Sequence, residues 1–262
     1  MSPSLTDTDK MSSELISSAV QVIKAAKNIC VLTGAGISAE SGIPTFRDKQ
    51  SGLWERFSAE ELANVTAFER DPALVWSWYQ WRRGEVKDKQ PNPAHFALTT
   101  WQQQAEALEH RLCLVTQNVD DLHEQSGSEA IHLHGELWRN HCSSCGAPYE
   151  QDIDTQITEL VSCPKCGGHI RPSIVWFGEM LPHQAWQSAQ RAAATSDVFI
   201  SIGTSSLVYP AAGLAQLAKA KGAMVIEINP NPTGGQSNRL IDIQLPYPAG
   251  QVLPILVNQL AR

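Results

Sequence analysis

The chain has 262 residues, of which 42% are hydrophobic and 18% are charged. These proportions are typical of a globular protein with a buried core, and they exclude an intrinsically disordered chain. The formal net charge is −7 and no run of lysine and arginine stands out, so we expect no binding to nucleic acid or to a membrane surface.

The N-terminal residues 1–13 are polar and lack the apolar segment of a signal peptide, and no stretch is long enough to span a membrane. We therefore predict a disordered tail, 1–13, on a cytoplasmic protein. Four of the six cysteines form two close pairs, whereas Cys30 and Cys113 lie in apolar runs. This usage indicates a reducing compartment and a metal site rather than a set of disulfides.

Apolar runs alternate with helical patterns along most of the chain. The predicted strands are 29–33, 112–116, 131–133, 198–202, 225–228 and 241–245. The predicted helices are 15–26, 94–108, 184–194, 211–220 and 253–260. Such alternation predicts an α/β fold with a Rossmann-like parallel sheet that is covered by helices on both faces.

Two stretches interrupt the alternation: 44–92 is helical and rich in aromatic residues, and 137–172 holds the cysteine pairs and many turn residues. We predict that these two insertions form a smaller domain, a helical insert with a zinc module. The remaining segments, 14–43, 93–136 and 173–262, would form the larger Rossmann-like domain.

The four paired cysteines predict a metal site. Cys142-x2-Cys145 precedes Cys163-x2-Cys166 by seventeen intervening residues, and a glycine follows each pair directly. Four thiolates at this spacing suit tetrahedral zinc and leave no position open for water, so the zinc should be structural. Similar zinc modules occur in nucleic-acid binders, but the acidic charge of this chain opposes that interpretation.

Three stretches with polar or glycine-rich chemistry follow predicted strands: 34–36, 117–120 and 203–205. Ligands of parallel sheets bind beyond the carboxyl ends of the strands. Gly34 and Gly36 would let backbone amides approach a phosphate, although a tight strand-to-helix turn explains them equally well. Gly42 comes too late for the dehydrogenase pattern, so hydride transfer is not predicted, while a dinucleotide remains possible.

The motifs in combination resemble those of the sirtuins, the NAD-dependent protein lysine deacylases. The stretch "GAGISAESGIPTFR", 34–47, is similar to their cofactor-loop signature, "QNVD", 117–120, to their second motif, and "HLHG", 132–135, to their catalytic-histidine motif. The cysteine pairs, "VWFGE" (175–179) and "GTS" (203–205) complete the family's set of motifs. The resemblance covers nearly the whole chain from about residue 15.

The resemblance implies that NAD is the co-substrate and binds across the top of the sheet. Its pyrophosphate would lie at the glycine turn, its nicotinamide ribose at the second motif, and its adenine side near residues 229–231. The residues that the resemblance assigns to NAD are Gly34, Ala35, Gly36, Ser38, Ala39, Thr45, Phe46, Arg47, Trp54, Gln117, Asn118, Val119, Asp120, Gly203, Thr204, Ser205, Asn229, Pro230, Asn231 and Ala249.

His134 is the predicted general base, because an unperturbed imidazole pKa near 6.5 allows proton uptake at neutral pH. In the family's reaction the acyl oxygen attacks the ribose carbon that carries nicotinamide, and the histidine then deprotonates a ribose hydroxyl. His132 lies two residues earlier and its spacing fits equally well, but the family pattern selects the histidine before the glycine. The catalytic residues that the resemblance implies are His134, Asn118 and Asp120.

The sequence "WSWYQWRRG", 76–84, follows a helix start in which Asp71 is the N-cap and Pro72 the first helical residue. Tyr79 and Arg82 are three residues apart and can point at one spot. From composition alone, an amphipathic helix with solvated arginines is the preferred interpretation.

The family resemblance favours a different role for this pair. Tyr79 and Arg82 resemble the pair that marks the sirtuin branch removing succinyl, malonyl and glutaryl groups, and Ala63 matches the small residue of that branch. A phenol and a guanidinium can hold a carboxylate through charge-assisted hydrogen bonds. The resemblance implies a substrate site, including a tunnel wall and peptide edge at 175–179, made of Ala63, Tyr79, Arg82, Val175, Trp176, Phe177, Gly178 and Glu179.

The leading interpretation is therefore NAD-dependent removal of acyl groups, acidic ones and acetyl, from protein lysines by a monomer. One alternative keeps the NAD site but transfers ADP-ribose to protein or hydrolyses NAD. A second alternative is a non-catalytic NAD or acyl-lysine binding module, which the intact His134, Asn118 and Asp120 oppose.

Overall fold

The computed structural model describes residues 7–45, 58–205, 209–233 and 239–262. Within these ranges the strands are β1 (Asn28–Thr33), β2 (Arg111–Thr116), β3 (Ile131–His132), β4 (Gly135–Cys142), β5 (Pro148–Tyr149), β6 (Ile170–Ile174), β7 (Val198–Ile202), β8 (Met224–Ile228) and β9 (Ile243–Leu245). The helices are α1 (Asp7–Ala25), α2 (Gly36–Ala39), α3 (Ala59–Leu62), α4 (Val65–Arg70), α5 (Pro72–Val86), α6 (Pro93–Gln104), α7 (Leu122–Ser126), α8 (His183–Thr195), α9 (Gly213–Ala220) and α10 (Ala249–Leu260).

A six-stranded parallel sheet runs through the larger part of the molecule in the order β3-β2-β1-β7-β8-β9. The strand order reverses its direction between β1 and β7. This reversal is the kind of switch point at which doubly wound folds bind ligands. It brings the turn after Thr33 and the turn after Ile202 side by side at the carboxyl edge of the sheet.

Both faces of this sheet are covered, as the alternating pattern predicts. In β1, Ile29 and Val31 pack into a cluster with residues of α1, α6 and α10. The intervening Cys30 and Leu32 pack on the opposite face with α8 and α9. Successive side chains of a strand point to opposite faces, so one buried strand supplies both layers. The predicted α/β fold class is confirmed.

A second, antiparallel sheet has the order β5-β4-β6, and the sequence analysis did not predict its strands. It carries the cysteine pairs and packs against α5. Trp76 of α5 lies in one cluster with Cys142, Cys163 and Ile170, and its indole N–H donates to the Ile157 carbonyl at 3.2 Å. The helical insert and the zinc module thus contact each other, while the predicted domain borders stay a prediction.

Two boundaries differ from the sequence expectation. Helix α1 begins at Asp7, so residues 7–13 of the predicted disordered tail have helical backbone; these residues continue the turns that the apolar stripe beginning at Leu15 anchors to the core. Helix α6 ends at Gln104 instead of residue 108, and Glu109 beyond it has a left-handed φ of 55°. None of the helices in the described ranges combines the length and apolarity needed to cross a membrane.

Candidate active site at the carboxyl ends of the parallel strands

Three glycines bring the two turns of the switch point into direct contact. A Cβ added to Gly36 would lie 2.7 Å from the Gly203 carbonyl oxygen, and one added to Gly34 would lie 2.9 Å from it. The amides of Gly34 and Gly36 donate to the carbonyls of Ile202 and Gly203, each at 2.9 Å. Gly34 and Gly36 therefore use their own N–H groups to close the turn, and the predicted phosphate binding at this turn stays a prediction. Ala35 lies between them.

Ser38, in the short helix α2, connects the glycine turn to the second motif. Its hydroxyl donates to Asp120 Oδ2 at 3.1 Å and accepts from Asn118 Nδ2 at 3.2 Å. All three side chains are buried. The structure thus brings together three of the predicted site residues from two separate segments of the chain.

Asp120 has an unusual protonation equilibrium. Burial raises the pKa of its carboxyl to about 6, although its hydrogen bonds with the Leu122 amide and the Ser38 hydroxyl act in the opposite direction. A buried carboxyl with a pKa this close to neutrality, next to other polar side chains, is typical of functional sites. At pH 7 it is mainly ionised and can accept hydrogen bonds from a ligand.

A network of buried polar side chains, which the sequence did not predict, is hydrogen bonded to the backbone of Asn118. Thr33 Oγ1 donates to Thr116 Oγ1 at 2.9 Å and contacts His123 Nε2 at 3.0 Å. Thr116 Oγ1 in turn accepts from the Asn118 amide at 3.0 Å. The only sequence signal was a threonine at the end of each of two adjacent apolar strands, and a polar residue at the end of a strand is too common to identify such a network.

His134 lies where the chain passes from the parallel sheet to the antiparallel sheet. Its Nδ1 is 3.0 Å from the Gln117 carbonyl oxygen. Since a carbonyl oxygen only accepts, Nδ1 carries the hydrogen and Nε2 is left as an acceptor. Burial lowers the pKa of this imidazole, and the hydrogen bond to Gln117 only partly opposes that shift. His134 is therefore neutral at pH 7, with Nε2 able to take a proton.

The glycine after this histidine is required by the backbone. Gly135 has a φ of 77°, and a Cβ there would lie 2.0 Å from the Ser173 carbonyl oxygen. The close approach belongs to the pairing of β4 with β6, in which Gly135 lies opposite Ile174. The carbonyl of His134 also accepts from the Val175 amide at 2.9 Å. The general-base candidate and the 175–179 segment are thus hydrogen bonded to each other.

The structure distinguishes the two histidines that their spacing could not. Both ring nitrogens of His132 have partners, the Asn118 carbonyl at 3.2 Å and Glu124 Oε1 at 3.0 Å. The Glu124 carboxylate raises the pKa of His132 against the effect of burial. In the part of the chain that the structure describes, the imidazole ring of His134 is hydrogen bonded through Nδ1 alone. His134 fits a proton acceptor, whereas His132 fits a structural hydrogen bond to the second motif.

The predicted adenine-side residues lie at the next strand end. Asn229, which follows β8, donates from Nδ2 to the Thr204 carbonyl at 2.8 Å and accepts from the Asn231 amide at 3.1 Å. Buried Glu227, which the sequence analysis missed, accepts from the backbone amide of Thr233 at 3.2 Å and shapes this loop.

The other predicted NAD residues are spread along the same edge. Gln117 follows β2, Ala249 begins α10, and Ala39 ends α2. Thr45, Val119, Gly203 and Ser205 are partly buried, while Pro230 is exposed. Phe46, Arg47 and Trp54 lie outside the described residues.

The predicted acyl-pocket residues meet between α5 and the segment after β6. Tyr79 and Trp176 are both 2% exposed, and the indole N–H of Trp176 donates to the Tyr79 hydroxyl at 2.8 Å. Arg82 is partly exposed, and its guanidinium carbon lies 5.2 Å from the ring centroid of Trp78. The Ala63 carbonyl accepts from the Phe177 amide at 2.9 Å.

Burial shifts the pKa values of the two titratable side chains in this predicted pocket. Burial raises the pKa of Tyr79 well above its usual value, so the phenol keeps its proton. Burial also lowers the pKa of Arg82, while the nearby groups of Tyr79 and Asp120 act in the opposite direction. A guanidinium remains charged at neutral pH. The pocket therefore holds a cation beside a neutral hydroxyl.

The 175–179 segment lies beyond β6, and Phe177 forms a single parallel bridge with Asn64. The Glu179 carboxylate accepts from Arg171 Nη1 at 2.6 Å and Nη2 at 2.9 Å, and from the Trp176 amide at 2.8 Å, while its predicted role in substrate binding stays a prediction. The structure thus gives the Glu179 carboxylate an internal partner. Arg171, in β6, was missed because nothing in the sequence connects it with Glu179.

The sulfur atoms of Cys142, Cys145, Cys163 and Cys166 all lie within 4.8 Å of one another. Sulfur atoms bound to one tetrahedral zinc ion at 2.3 Å are about 3.8 Å apart. Backbone amides that follow the ligands donate to sulfur, Ser144 to Cys142 and Lys165 to Cys163, each at 3.4 Å. The four cysteines are positioned to bind a zinc ion, and as a complete ligand set they would serve structure, not catalysis.

Known proteins are similar to this chain in sequence and in architecture. A sequence profile described as Sir2 family matches residues 34–210. An NAD-dependent protein deacylase from Mycobacterium tuberculosis is 47% identical over 237 residues, which is 88% of this chain and 97% of that protein. The chain belongs to the Sir2 family.

Two solved structures extend the comparison to the Sir2 fold. The crystal structure of a Sir2 homologue in complex with NAD has a TM-score of 0.85 and 44% identity, over 94% of this chain and 93% of that one. A mutant Sir2 with a deacetylated peptide and 3'-O-acetyl ADP-ribose has a TM-score of 0.81 and 25% identity, over 93% of this chain and 98% of that one. The family named from the motifs is confirmed, and the roles of single residues in this Sir2 family member stay predictions.

Proposed function

We propose that the chain is an NAD-dependent protein-lysine deacylase that accepts acidic acyl groups such as succinyl and malonyl as well as acetyl. It would release nicotinamide and O-acyl-ADP-ribose. Membership of the Sir2 family and relatives that are named NAD-dependent protein deacylases support the general activity. The preference for an acidic acyl group rests on the chemistry of the pocket around Tyr79.

The observation that carries the proposed activity is the geometry of His134. Its Nδ1 is bound to the Gln117 carbonyl, so Nε2 is the atom that accepts a proton. Because its pKa is lowered by burial, most of this imidazole is already unprotonated at neutral pH. A general base in this state contributes about 10²- to 10⁴-fold to a rate.

The residues at the strand ends fit the polar groups of NAD. Ribose hydroxyls and a carboxamide need neutral donors and acceptors, and Asn118, Ser38 and Asp120 supply these together with one carboxylate. When bound, NAD supplies a ribose carbon from which nicotinamide can leave. The role of the protein is to hold that ribose next to His134 and to exclude water from it.

The pocket between α5 and the 175–179 segment suits a carboxylate. Tyr79 keeps its proton because of burial, and a guanidinium has only donors. A charge-assisted hydrogen bond is worth about 1.5–3 kcal/mol, which corresponds to a preference of roughly tenfold to a hundredfold. Acetyl would enter the same pocket but offers no carboxylate to the guanidinium of Arg82.

The peptide that carries the acyl-lysine would lie along the exposed edge at Phe177. In the structure, the Phe177 amide already pairs with the Ala63 carbonyl, and Phe177 is 45% exposed. An extended peptide can add to such an edge through backbone hydrogen bonds, which give affinity without demanding a fixed sequence. Broad acceptance of protein substrates would follow.

Nicotinamide release with NAD and two matched peptides, one acetylated and one succinylated on the same lysine, tests the proposal. We expect succinyl turnover to exceed acetyl turnover by about tenfold or more. Arg82→Met should lower succinyl turnover more than acetyl turnover. Arg139→Met is the matched control, because the side chain of this arginine on β4 is 74% exposed and its ion pair is with Glu136.

The outcomes separate the parts of the proposal. Greater acetyl turnover would leave a deacylase and remove the acidic-acyl preference. Consumption of NAD with neither peptide deacylated would instead favour ADP-ribosyl transfer or NAD hydrolysis. If His134→Gln keeps O-acyl-ADP-ribose formation within tenfold of wild type, the assignment of the general base is wrong.

A further inference from the structure

We propose that Trp176 is a positioning residue for acyl specificity: its indole N–H fixes the Tyr79 hydroxyl so that the hydroxyl proton is presented to an acidic acyl group. A clamp made of Arg171 and Glu179 holds Trp176 in place for this task. The proposal rests on the proposed acidic-acyl activity and adds to it the residues that orient the phenol.

The indole of Trp176 determines the direction of the hydrogen bond at the Tyr79 hydroxyl. The Trp176 Nε1 atom lies 2.8 Å from the Tyr79 hydroxyl oxygen. An indole nitrogen can only donate, so the hydroxyl accepts here and its own hydrogen must point elsewhere. Among the described residues, this hydroxyl hydrogen bonds only to Trp176. The proton is therefore available for an acceptor that enters the pocket.

Packing fixes the orientations of the Tyr79 and Trp176 rings. The rings of Tyr79 and Trp176 are nearly parallel, with an interplanar angle of 22° and centroids 6.2 Å apart. The ring of Phe68 also contacts Trp176, with its centroid 5.1 Å from that of Trp176. Both hydrogen-bonding residues are buried, so neither ring can rotate freely. The hydroxyl direction is consequently fixed before a substrate arrives.

Arg171 and Glu179, the two residues of the clamp, both contact Trp176. The guanidinium carbon of Arg171 lies 3.2 Å from the Trp176 ring centroid, an arrangement in which a cation is attracted by the ring face. The Glu179 carboxylate binds this guanidinium through both oxygens and also accepts from the Trp176 amide. One carboxylate thereby fixes both the backbone of Trp176 and the cation above its ring.

An acidic acyl group and acetyl depend differently on this arrangement. A terminal carboxylate can accept the phenol proton together with guanidinium N–H groups. Acetyl ends in a methyl group, which cannot accept a hydrogen bond from the phenol. Loss of the indole N–H should thus weaken turnover of acidic acyl groups selectively, whereas simple damage to packing would weaken all acyl groups alike.

The test is a double-mutant cycle on the ratio of succinyl to acetyl kcat/KM. We expect Trp176→Phe, which keeps a ring but removes the N–H, to lower this ratio by about threefold to tenfold. In the Tyr79→Phe background the same change should leave the ratio unaltered, since no hydroxyl is left to orient. Equal effects of Trp176→Phe in both backgrounds would overturn the proposal.

Trp101→Phe is the matched control for the loss of a buried indole N–H. Trp101 is fully buried in the larger sheet's helical layer, and its Nε1 donates to His110 Nδ1 at 3.1 Å. This variant should keep the wild-type ratio. Should it lower the ratio as much as Trp176→Phe does, the effect would be a general consequence of core damage and the proposal would fail.

Arg171→Lys tests the clamp if Trp176→Phe does not fold. The variant keeps the positive charge but loses the planar fork that binds Glu179 and stacks on the indole. We expect a lower ratio, and an unchanged ratio would remove Arg171 and Glu179 from the proposal. A wild-type preference for acetyl would instead overturn the acidic-acyl function itself, a result distinct from failure of the cycle.

Discussion

The two adjacent arginines of α5 face different regions of the molecule. Arg82 is partly exposed beside Tyr79, on the side of the acyl pocket. Arg83 is 1% exposed and donates to the Leu137 carbonyl and Asn140 Oδ1, each at 2.7 Å from Nη2, on the side of the zinc module. Neighbouring residues of a helix point about 100° apart, so one step along the chain changes the role from a proposed ligand contact to a structural connection.

The two cations also differ in how their charge is stabilised. Burial lowers the pKa of Arg83 to about 10, and neutral oxygens of Gln80, Leu137 and Asn140 accept from its guanidinium. At pH 7 it remains charged. Hydrogen bonds to neutral acceptors of this kind give rigidity between two elements, whereas Arg82 has accessible surface that a substrate anion could meet.

The largest loss of stability and activity is expected when the zinc module, which Arg83 contacts, loses its metal. Cys163→Ser removes one of the four sulfur ligands and should prevent zinc binding, because structural zinc contributes directly to folding. We expect the purified variant to contain less than half of the wild-type zinc and to lose both succinyl and acetyl turnover. Metal analysis and thermal unfolding measure this.

If Cys163→Ser lost only succinyl turnover or only acetyl turnover, the proposed division between the Arg82 side and the Arg83 side of α5 would be wrong. Such a result would mean that the zinc side of α5 influences acyl choice and does not merely support the helix. Cys113→Ser is the control, since this thiol lies outside the cysteine cluster and should keep the zinc content unchanged.

The next effect concerns Arg83 itself. Arg83→Met leaves the Leu137 carbonyl and the Asn140 and Gln80 side-chain oxygens without their donor. Each unsatisfied buried acceptor costs about 1–3 kcal/mol, so the free energy of unfolding should fall by about 3 kcal/mol or more. Chemical denaturation measures this change.

Arg82→Met is the matched variant, since it makes the same substitution one residue earlier. We expect its unfolding free energy to stay within about 1 kcal/mol of wild type, because Arg82 is partly exposed. If Arg82→Met is the more destabilised of the two, our assignment of the two faces is reversed.

The third expected effect is a fall in kcat/KM at low pH, which arises at the active site and not at the zinc module. His134 must be unprotonated to accept a proton, and its pKa is lowered below the ordinary value by burial. As pH falls through that lowered pKa, kcat/KM for both peptides should fall about tenfold per pH unit. Protonation of Asp120, whose pKa burial raises to about 6, acts in the same direction. A flat profile between pH 7 and pH 5 would contradict this.

Unfolding must be followed in parallel with this profile. Burial lowers the pKa of His95 to about 4 and that of His123 to about 3. The unfolded chain therefore binds protons more readily than the folded chain below about pH 6.5, and stability falls as the pH falls. Circular dichroism at each pH distinguishes this loss from titration of His134.

The smallest change in stability is expected at the start of α5, because the N-cap stabilises the whole helix that carries both Arg82 and Arg83. The Asp71 side chain accepts from the Leu74 amide at 3.0 Å. Removal of such an N-cap costs about 1 kcal/mol of stability. We expect Asp71→Ala to lower the melting temperature slightly and to leave the succinyl-to-acetyl ratio unchanged, and a changed ratio would show that the helix start positions Tyr79.

Much of the fold was predictable because its signals are local. The buried strands β1 and β7 are apolar on both faces, so each of them forms a continuous apolar run in the sequence. The spacing of the cysteines alone indicated the zinc site. The strands β4 and β6 gave no such signal, because polar residues such as Arg171 and Asn140 interrupt them. Their register depends on pairing across the sheet, which no window of sequence contains.

The site was predictable in its residue types and less so in its contacts. The motifs brought Ser38, Asn118 and Asp120 together, as the structure does. The internal partner of Glu179 depends on a residue eight positions away on another element. The engaged amides of Gly34 and Gly36 depend on the neighbouring turn at Gly203. Such contacts follow from tertiary packing, so sequence patterns could not supply them.

The position of His134 has a consequence for how the proposed reaction would be driven. Its ring is held by the Gln117 carbonyl and its backbone by the Val175 amide, next to a residue that must be glycine. The entropy needed to orient this base is therefore lost once, when the chain folds, and not again in each turnover. A preorganised group of this kind requires little reorganisation as charge develops, which is a main source of rate acceleration in enzymes.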